Sequence, residues 1–254
     1  MSIPVRPGVL YGVGIGPGEA DLLTLRAVAV LRKADVVVGA ASPRNERSLA
    51  LDIAAPYLSP EVRTLRLNFP MTSDAAARAT AWEDNAREAA VILQSGRDIA
   101  FLTLGDPLVY STFGYLMQTM ERLFPELPVE VVPGITSFQA AAARTRTVLC
   151  QDRENLVILS GINGAERLGR VLDAVDSAVI LKVYKNIEAI RQALAERDAC
   201  RRVMLVSRLG LAGESLSRGL DAAGTFPPYL SLLLLPPRRE GQEIPIPDQT
   251  YTRV

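Results

Sequence analysis

Residues 9–38 read VLYGVGIGPGEADLLTLRAVAVLRKADVVV, and their pattern decides the fold. Residues 9–15 form a short apolar run broken by glycines. Residues 22–33 carry helical spacing, with Leu22, Leu25, Ala29 and Arg32 marking two faces, and residues 35–38 form a second apolar run. Strand, helix and strand in this order make the unit of a parallel sheet covered by helices. Working outward, the spacing predicts a helix over 48–54, a weaker strand over 62–67 and a long helix over 75–94. On that long helix Ala79, Trp82, Ala86, Ala90 and Leu93 share one side. A buried strand over 99–104, a helix over 112–124 and a strand over 129–132 complete a five-stranded α/β layer.

Beyond Pro133-Gly134 the pattern changes, so a boundary is expected there between an N-terminal α/β domain, 1–133, and a C-terminal one, 134–254. The second domain is expected to hold helices over 137–144, 166–174 and 187–196 and strands over 156–160, 178–184, 202–207 and 229–235. Residues 214–220 read as a strand of a hairpin rather than a helix. From about residue 238 the tail is polar and proline-containing, the mark of a loosely packed extension.

Composition narrows the chemistry. The 254 residues are 48% hydrophobic and 22% charged, which permits a substantial core and excludes a disordered chain. With 28 basic and 28 acidic residues the net charge is zero, so no global field draws in nucleic acid. Histidine is absent, which excludes Ser-His-Asp and Cys-His triads, His-ligated zinc and any imidazole base. Cys150 and Cys200 are too few for a disulfide framework or a four-cysteine metal site. They read as small buried apolar residues in a reducing, cytoplasmic setting, and no metal site is expected. The start MSIPVRPGVLYGVG has no signal-peptide core, and residues 229–235 are about a third of a membrane span, so no membrane segment is expected. Lys33, Lys182 and Lys185 are the only lysines, and the arginines that make up the remaining basic residues suit bidentate contacts to a polycarboxylate.

Ligands of an open parallel sheet bind beyond the carboxyl ends of its strands. Three such ends stand out. Gly12-Val13-Gly14-Ile15-Gly16-Pro17-Gly18 fails the dinucleotide fingerprint in both registers, since Pro17 or Glu19 stands where the third glycine belongs. Asp35 precedes its strand instead of ending it, so no ribose-binding carboxylate is available either. Leu104-Gly105-Asp106-Pro107-Leu108-Val109-Tyr110 sets a carboxylate at the top of a buried strand, where Asp-Pro also serves as a plain turn initiator. Val131-Val132-Pro133-Gly134-Ile135-Thr136-Ser137 supplies two hydroxyls at the start of a helix, which they also suit as caps.

Together, GVGIGPG followed by LLTLRA, then GDPLVYST, then VEVVPGITSFQAAAA resemble the tetrapyrrole methylase family, the S-adenosylmethionine-dependent enzymes of cobalamin and sirohaem biosynthesis. SFQAAAAR, the early GVGIGPG and the later LKVYKN are most similar to the precorrin-2 and cobalt-factor II C-20 methyltransferase branch. The resemblance covers about residues 9–235. Leu104-Gly105-Asp106 stands where sirohaem-branch members usually show Gly-Gly-Asp, which argues against uroporphyrinogen methylation.

The resemblance implies the class III methyltransferase arrangement: two α/β domains with S-adenosylmethionine in the interdomain cleft, a homodimer, and a reduced tetrapyrrole as substrate. It implies cofactor contacts from Pro17, Leu104, Gly105, Asp106 and Val109, from Thr136 and Ser137 near the methionine part, and from Tyr184 and Leu209 over adenine. Methyl transfer from a sulfonium needs positioning more than acid or base help, so the missing histidine is no obstacle. Asp106 and Lys182 are the catalytic candidates, Lys182 because it interrupts the apolar run 178–181. The alternative for Lys182 is an edge-strand side chain reaching solvent. Arg44, Arg208 and Arg218 are candidates for the acidic substrate, and Tyr110 and Phe113 for its ring face, with core packing the alternative for both aromatics. The nearest alternative is a corrin-pathway methyltransferase of different regiochemistry, and a tetrapyrrole- or nucleotide-binding module without turnover is the reading from a different class.

Overall fold

A computed structural model of the chain describes residues 6–41, 48–70, 72–161, 164–220 and 226–239. Arg44 and the tail beyond Arg239 lie outside the described residues. The chain divides into two compact units, Met1–Thr136 and Ser137–Val254, just past the expected Pro133-Gly134 boundary.

The first unit follows the expected pattern. It runs β1 (Leu10–Gly14), α1 (Leu25–Leu31), β2 (Val36–Ala41), α2 (Leu49–Ala54), β3 (Arg63–Asn68), α3 (Ala75–Gln94), β4 (Ile99–Thr103), α4 (Phe113–Leu123) and β5 (Val129–Val132). The sheet is wholly parallel, in the order β3-β2-β4-β1-β5. From β1 the chain moves toward β2 and β3; from β3 it reverses toward β4 and β5. Right-handed crossovers therefore put α1 and α2 on one face and α3 and α4 on the other. The core on the second face agrees, joining Leu10, Val38, Ile99 and Phe101 to Ala86, Leu93, Phe113 and Met120. Trp82 of α3 stacks on Tyr115 of α4, ring centroids 4.4 Å apart.

Two details depart from the sequence expectation, and a third decides between its alternatives. Ala79 is exposed, because the first turns of α3 project beyond the core and burial begins near Trp82. The expected helix over 22–33 starts later: Ala20–Leu22 is a 3-10 turn, and Thr24 caps α1 by accepting the Ala27 N–H at 3.1 Å. Phe113 is wholly buried, its ring lying where a Cβ on Gly12 would sit and 5.6 Å from Phe101, so core packing is its role.

The second unit holds α5 (Ser137–Thr145), β6 (Leu156–Ser160), α6 (Ala165–Leu172), β7 (Ser177–Leu181), α7 (Ile187–Ala195), β8 (Met204–Ser207), β9 (Ser215–Arg218) and β10 (Ser231–Leu235). Its sheet is mixed, in the order β6-β7-β10-β8-β9. β6 and β7 are parallel, β10 is antiparallel to β7 and β8, and β8 with β9 forms the expected hairpin. Cys150 is exposed on the connection between α5 and β6, against the expectation of burial. Cys200 is half-buried against the core of α6 and α7.

Candidate functional site

In the first unit, β1 and β4 are neighbours whose outgoing loops turn to opposite faces, which is where an open α/β sheet leaves a ligand crevice. The loops are locked to each other at that point. Gly16 and Gly105, both left-handed at φ 73°, form an antiparallel bridge, with the Gly105 N–H donating to the Gly16 carbonyl at 2.7 Å. A side chain in that conformation would be strained. Gly14 and Gly134 serve close approach instead: a Cβ on Gly14 would lie 2.6 Å from the Gly134 Cα, and one on Gly134 would strike the Gly105 carbonyl. Gly14 and Gly16 of the first loop thus let three backbones meet, and Gly12 makes room for the Phe113 ring, so these glycines serve packing without a dinucleotide.

Asp106 ties the cluster together. One carboxylate oxygen accepts the Leu108 N–H at 2.9 Å, the turn expected of Asp-Pro, and the other accepts the Gly134 N–H at 3.0 Å. With one backbone donor on each oxygen, Asp106 is a positioning residue for the Gly134 segment. Leu104, Pro17, Val109 and Ser137 are half-buried, Thr136 is buried, and Tyr110 is exposed in the left-handed region at φ 52°. The strand-end loops carry backbone groups and short apolar side chains, with Asp106 their charged member.

In the second unit the strand directions bring other expected residues to one sheet edge. Leu181 pairs with Leu232 and Ser207 with Ser231, so the residues after β7, after β8 and before β10 lie together. Lys182, Leu230 and Arg208 sit there in succession across the sheet, each left-handed, at φ 56°, 67° and 53°. Non-glycine residues in that region concentrate where a site over-determines the backbone. Lys182 follows β7 instead of lying within it, and β7 runs between β6 and β10, so the strand is no edge, but the side chain is exposed, as the solvent-reaching alternative expected. Partial burial, and then the Lys185 ammonium, hold its pKa below the ordinary lysine range. Tyr184 meets Tyr229 edge-on, centroids 5.3 Å apart, with the Lys185 Nζ 5.9 Å from the Tyr184 ring centre. Leu209 is buried. Arg218 is elsewhere: it pairs with Met204, so it lies at the opposite end of the hairpin from Arg208.

Two residues that sequence reasoning passed over complete this edge. Glu214 accepts the Gly210 N–H at 2.7 Å and pairs with Arg144 of α5 at 3.1 Å. The pairing spans 70 residues and has no local signature. Among the described residues no group of three or more His, Cys, Asp or Glu is arranged to hold a metal, and no helix is long and apolar enough to cross a membrane.

The profile of the tetrapyrrole (corrin/porphyrin) methylases matches residues 9–220. The cobalt-precorrin-2 C(20)-methyltransferase of Salmonella typhimurium is 33% identical over 230 residues, covering 90% of this chain and 96% of that protein. The precorrin-2 C(20)-methyltransferase of a Sinorhizobium species is 34% identical over 241 residues, covering 91% and 96%. Among solved structures, uroporphyrin-III C-methyl transferase from Thermus thermophilus, complexed with S-adenyl homocysteine, superposes with a TM-score of 0.63 at 24% identity. That match covers 90% of this chain and 97% of the other.

Proposed function

The chain belongs to the tetrapyrrole (corrin/porphyrin) methylases, and from that membership we propose that it is the S-adenosylmethionine-dependent methyltransferase that acts at C-20 of precorrin-2 or its cobalt form in cobalamin biosynthesis. The observation that carries the substrate is likeness over nearly full length to two enzymes named for that reaction. Cobalt, where present, belongs to the substrate.

The strand-end loops fit the cofactor. The Gly14, Gly105 and Gly134 backbones pack directly on one another with no room for a Cβ, which fixes the loops' shape, and the half-buried side chains around them are short and apolar. Such a surface suits a nucleoside thioether better than a polyphosphate. S-adenosylmethionine, when bound, supplies a methyl group on a sulfonium leaving group. We assign Pro17, Leu104, Gly105 and Val109 to backbone and apolar contacts, Thr136 and Ser137 to the methionine end, and Tyr184 and Leu209 to adenine. Asp106 acts by holding the Gly134 segment in place.

To Lys182 we assign the proton released at the methylated carbon. Its lowered pKa supports this role, because more of it is neutral at a given pH. Arg208 and Tyr110 are assigned to the substrate's carboxylates and ring face. Arg218, at the far edge of its sheet, leaves that set. The reading extends to a cytoplasmic homodimer.

Anaerobic incubation with S-adenosylmethionine and each tetrapyrrole tests the proposal. The expected result is S-adenosylhomocysteine and a tetrapyrrole heavier by one methyl. Binding of both ligands without turnover would instead favour a non-catalytic binding module.

A further inference from the structure

The loop after β8 is held by a carboxylate. Leu209 is buried between two left-handed residues, Arg208 at φ 53° and Gly210 at φ 71°. A non-glycine residue keeps that conformation only where its surroundings enforce it. Here the Arg208 N–H donates to the Leu230 carbonyl at 3.0 Å, and the Leu211 N–H donates to the Arg208 carbonyl at 2.9 Å. The Gly210 N–H donates to Glu214 Oε2 at 2.7 Å. The same carboxylate receives Arg144 through Nε at 3.1 Å and Nη2 at 3.3 Å, with the two side chains only 15% and 22% exposed. Arg144 lies on α5, the helix that opens at Ser137. One ion pair therefore joins the loop of Leu209 to the helix of Ser137 within a single unit.

We infer that Glu214 is a positioning residue for the cofactor: with Arg144 it fixes the backbone that presents Leu209, and so sets cofactor affinity more than the rate of methyl transfer. This rests on the proposed assignment of Leu209 and Ser137 to S-adenosylmethionine. A loop locked before binding leaves little ordering cost to be met when the ligand arrives. Charge-assisted bonds, sheltered as these are, are strong enough to impose that order.

The same unit contains a matched control. Glu154 accepts the Gln151 N–H at 2.6 Å and Arg239 at 2.5 Å, with side chains 24% and 17% exposed, on the connection between α5 and β6. Its chemistry and burial closely match those of Glu214, but the backbone it holds, at Gln151, adjoins none of the assigned cofactor residues, whereas Gly210 adjoins Leu209.

The test is calorimetric titration of the intact chain with S-adenosylhomocysteine, for wild type, Glu214→Ala, Glu214→Gln and Glu154→Ala, with thermal unfolding of each. Glu214→Ala is expected to weaken binding about tenfold. Glu214→Gln, which keeps an acceptor for the Gly210 N–H, should weaken it by a smaller factor. In both, KM for S-adenosylmethionine should follow Kd while kcat at saturation stays near wild type. Glu154→Ala should lower Tm and bind as wild type does. Wild-type affinity in a folded Glu214 variant overturns the inference, as does equal weakening by Glu154→Ala. If Glu214→Ala fails to fold, Glu214→Gln decides between the same two results. A wild-type chain that binds no S-adenosylhomocysteine rejects the cofactor assignment itself, and the inference with it.

Discussion

The Asp106 carboxylate accepts the backbone N–H of Gly134, 28 residues downstream, at 3.0 Å. The loop after β4 thereby fixes the segment after β5, across the intervening β1. Removing the carboxylate leaves the Gly134 N–H without that acceptor and frees the strand-end loop.

Asp106→Ala is expected to cost about 1–3 kcal/mol of stability, the range for a lost charge-assisted bond to a sheltered donor. Affinity for S-adenosylhomocysteine should fall as well. Asp106→Asn keeps one acceptor and should recover part of both. Denaturant unfolding and calorimetric titration read the two effects. A variant that lost stability while binding normally would confine Asp106 to the fold.

Gly134→Ala should be worse, because the new Cβ meets the Gly105 carbonyl and lies 2.7 Å from the Gly14 Cα, all backbone atoms with little room to move. Overpacking of this kind costs roughly 1–3 kcal/mol or more. Gly114→Ala, whose Cβ would meet nothing within 4 Å, is the control expected to leave Tm near wild type.

Lys182→Met should leave the fold intact and cut kcat about a hundredfold, the scale of a lost proton acceptor, with S-adenosylhomocysteine affinity nearly unchanged. Equal losses in turnover and binding would contradict a catalytic role. The stability sign is also fixed. A lysine with a lowered folded-state pKa opposes folding while charged, so at neutral pH Lys182→Met should be at least as stable as wild type. That advantage should fade as pH rises through the lowered pKa toward the ordinary value of about 10.4.

The Glu154–Arg239 pair predicts an acid limb. The Arg239 guanidinium, followed by the Gln151 N–H, holds the Glu154 carboxyl below the usual range. Its contribution is therefore complete above the unfolded value of about 4.3 and is lost as pH falls through the lower folded value. The Tm difference between wild type and Glu154→Gln should be constant near neutrality and shrink below about pH 4.3. A difference that persisted at pH 2 would show that packing, not charge, carries it.

Much of the first unit was legible because its signals are local. The long helix Ala75–Gln94 and the strand Val129–Val132 were readable to the residue, from periodicity in one case and a bounded apolar run in the other. The three strand-end loops were visible as glycine and proline interruptions. What escaped was long-range or conformational. Asp-Pro signals the turn to Leu108, but nothing near Asp106 announces Gly134. The end of β7 was misplaced because Lys182 is left-handed without being glycine, a state imposed by the fold and not by local sequence. Glu214 and Arg144 carry no local signal of each other and meet only because the hairpin and α5 bring them together. Arg218 fell out of the site because strand direction, which periodicity does not encode, put it at the other end of β8.

The central claim is methyl transfer to one carbon of one macrocycle. Anaerobic turnover with S-adenosylmethionine labelled with ¹³C in its methyl group, followed by NMR of the tetrapyrrole product, reads it directly. A single labelled methyl at C-20 of precorrin-2 or its cobalt form is expected. Label at any other carbon, or none despite tight S-adenosylhomocysteine binding, would contradict it.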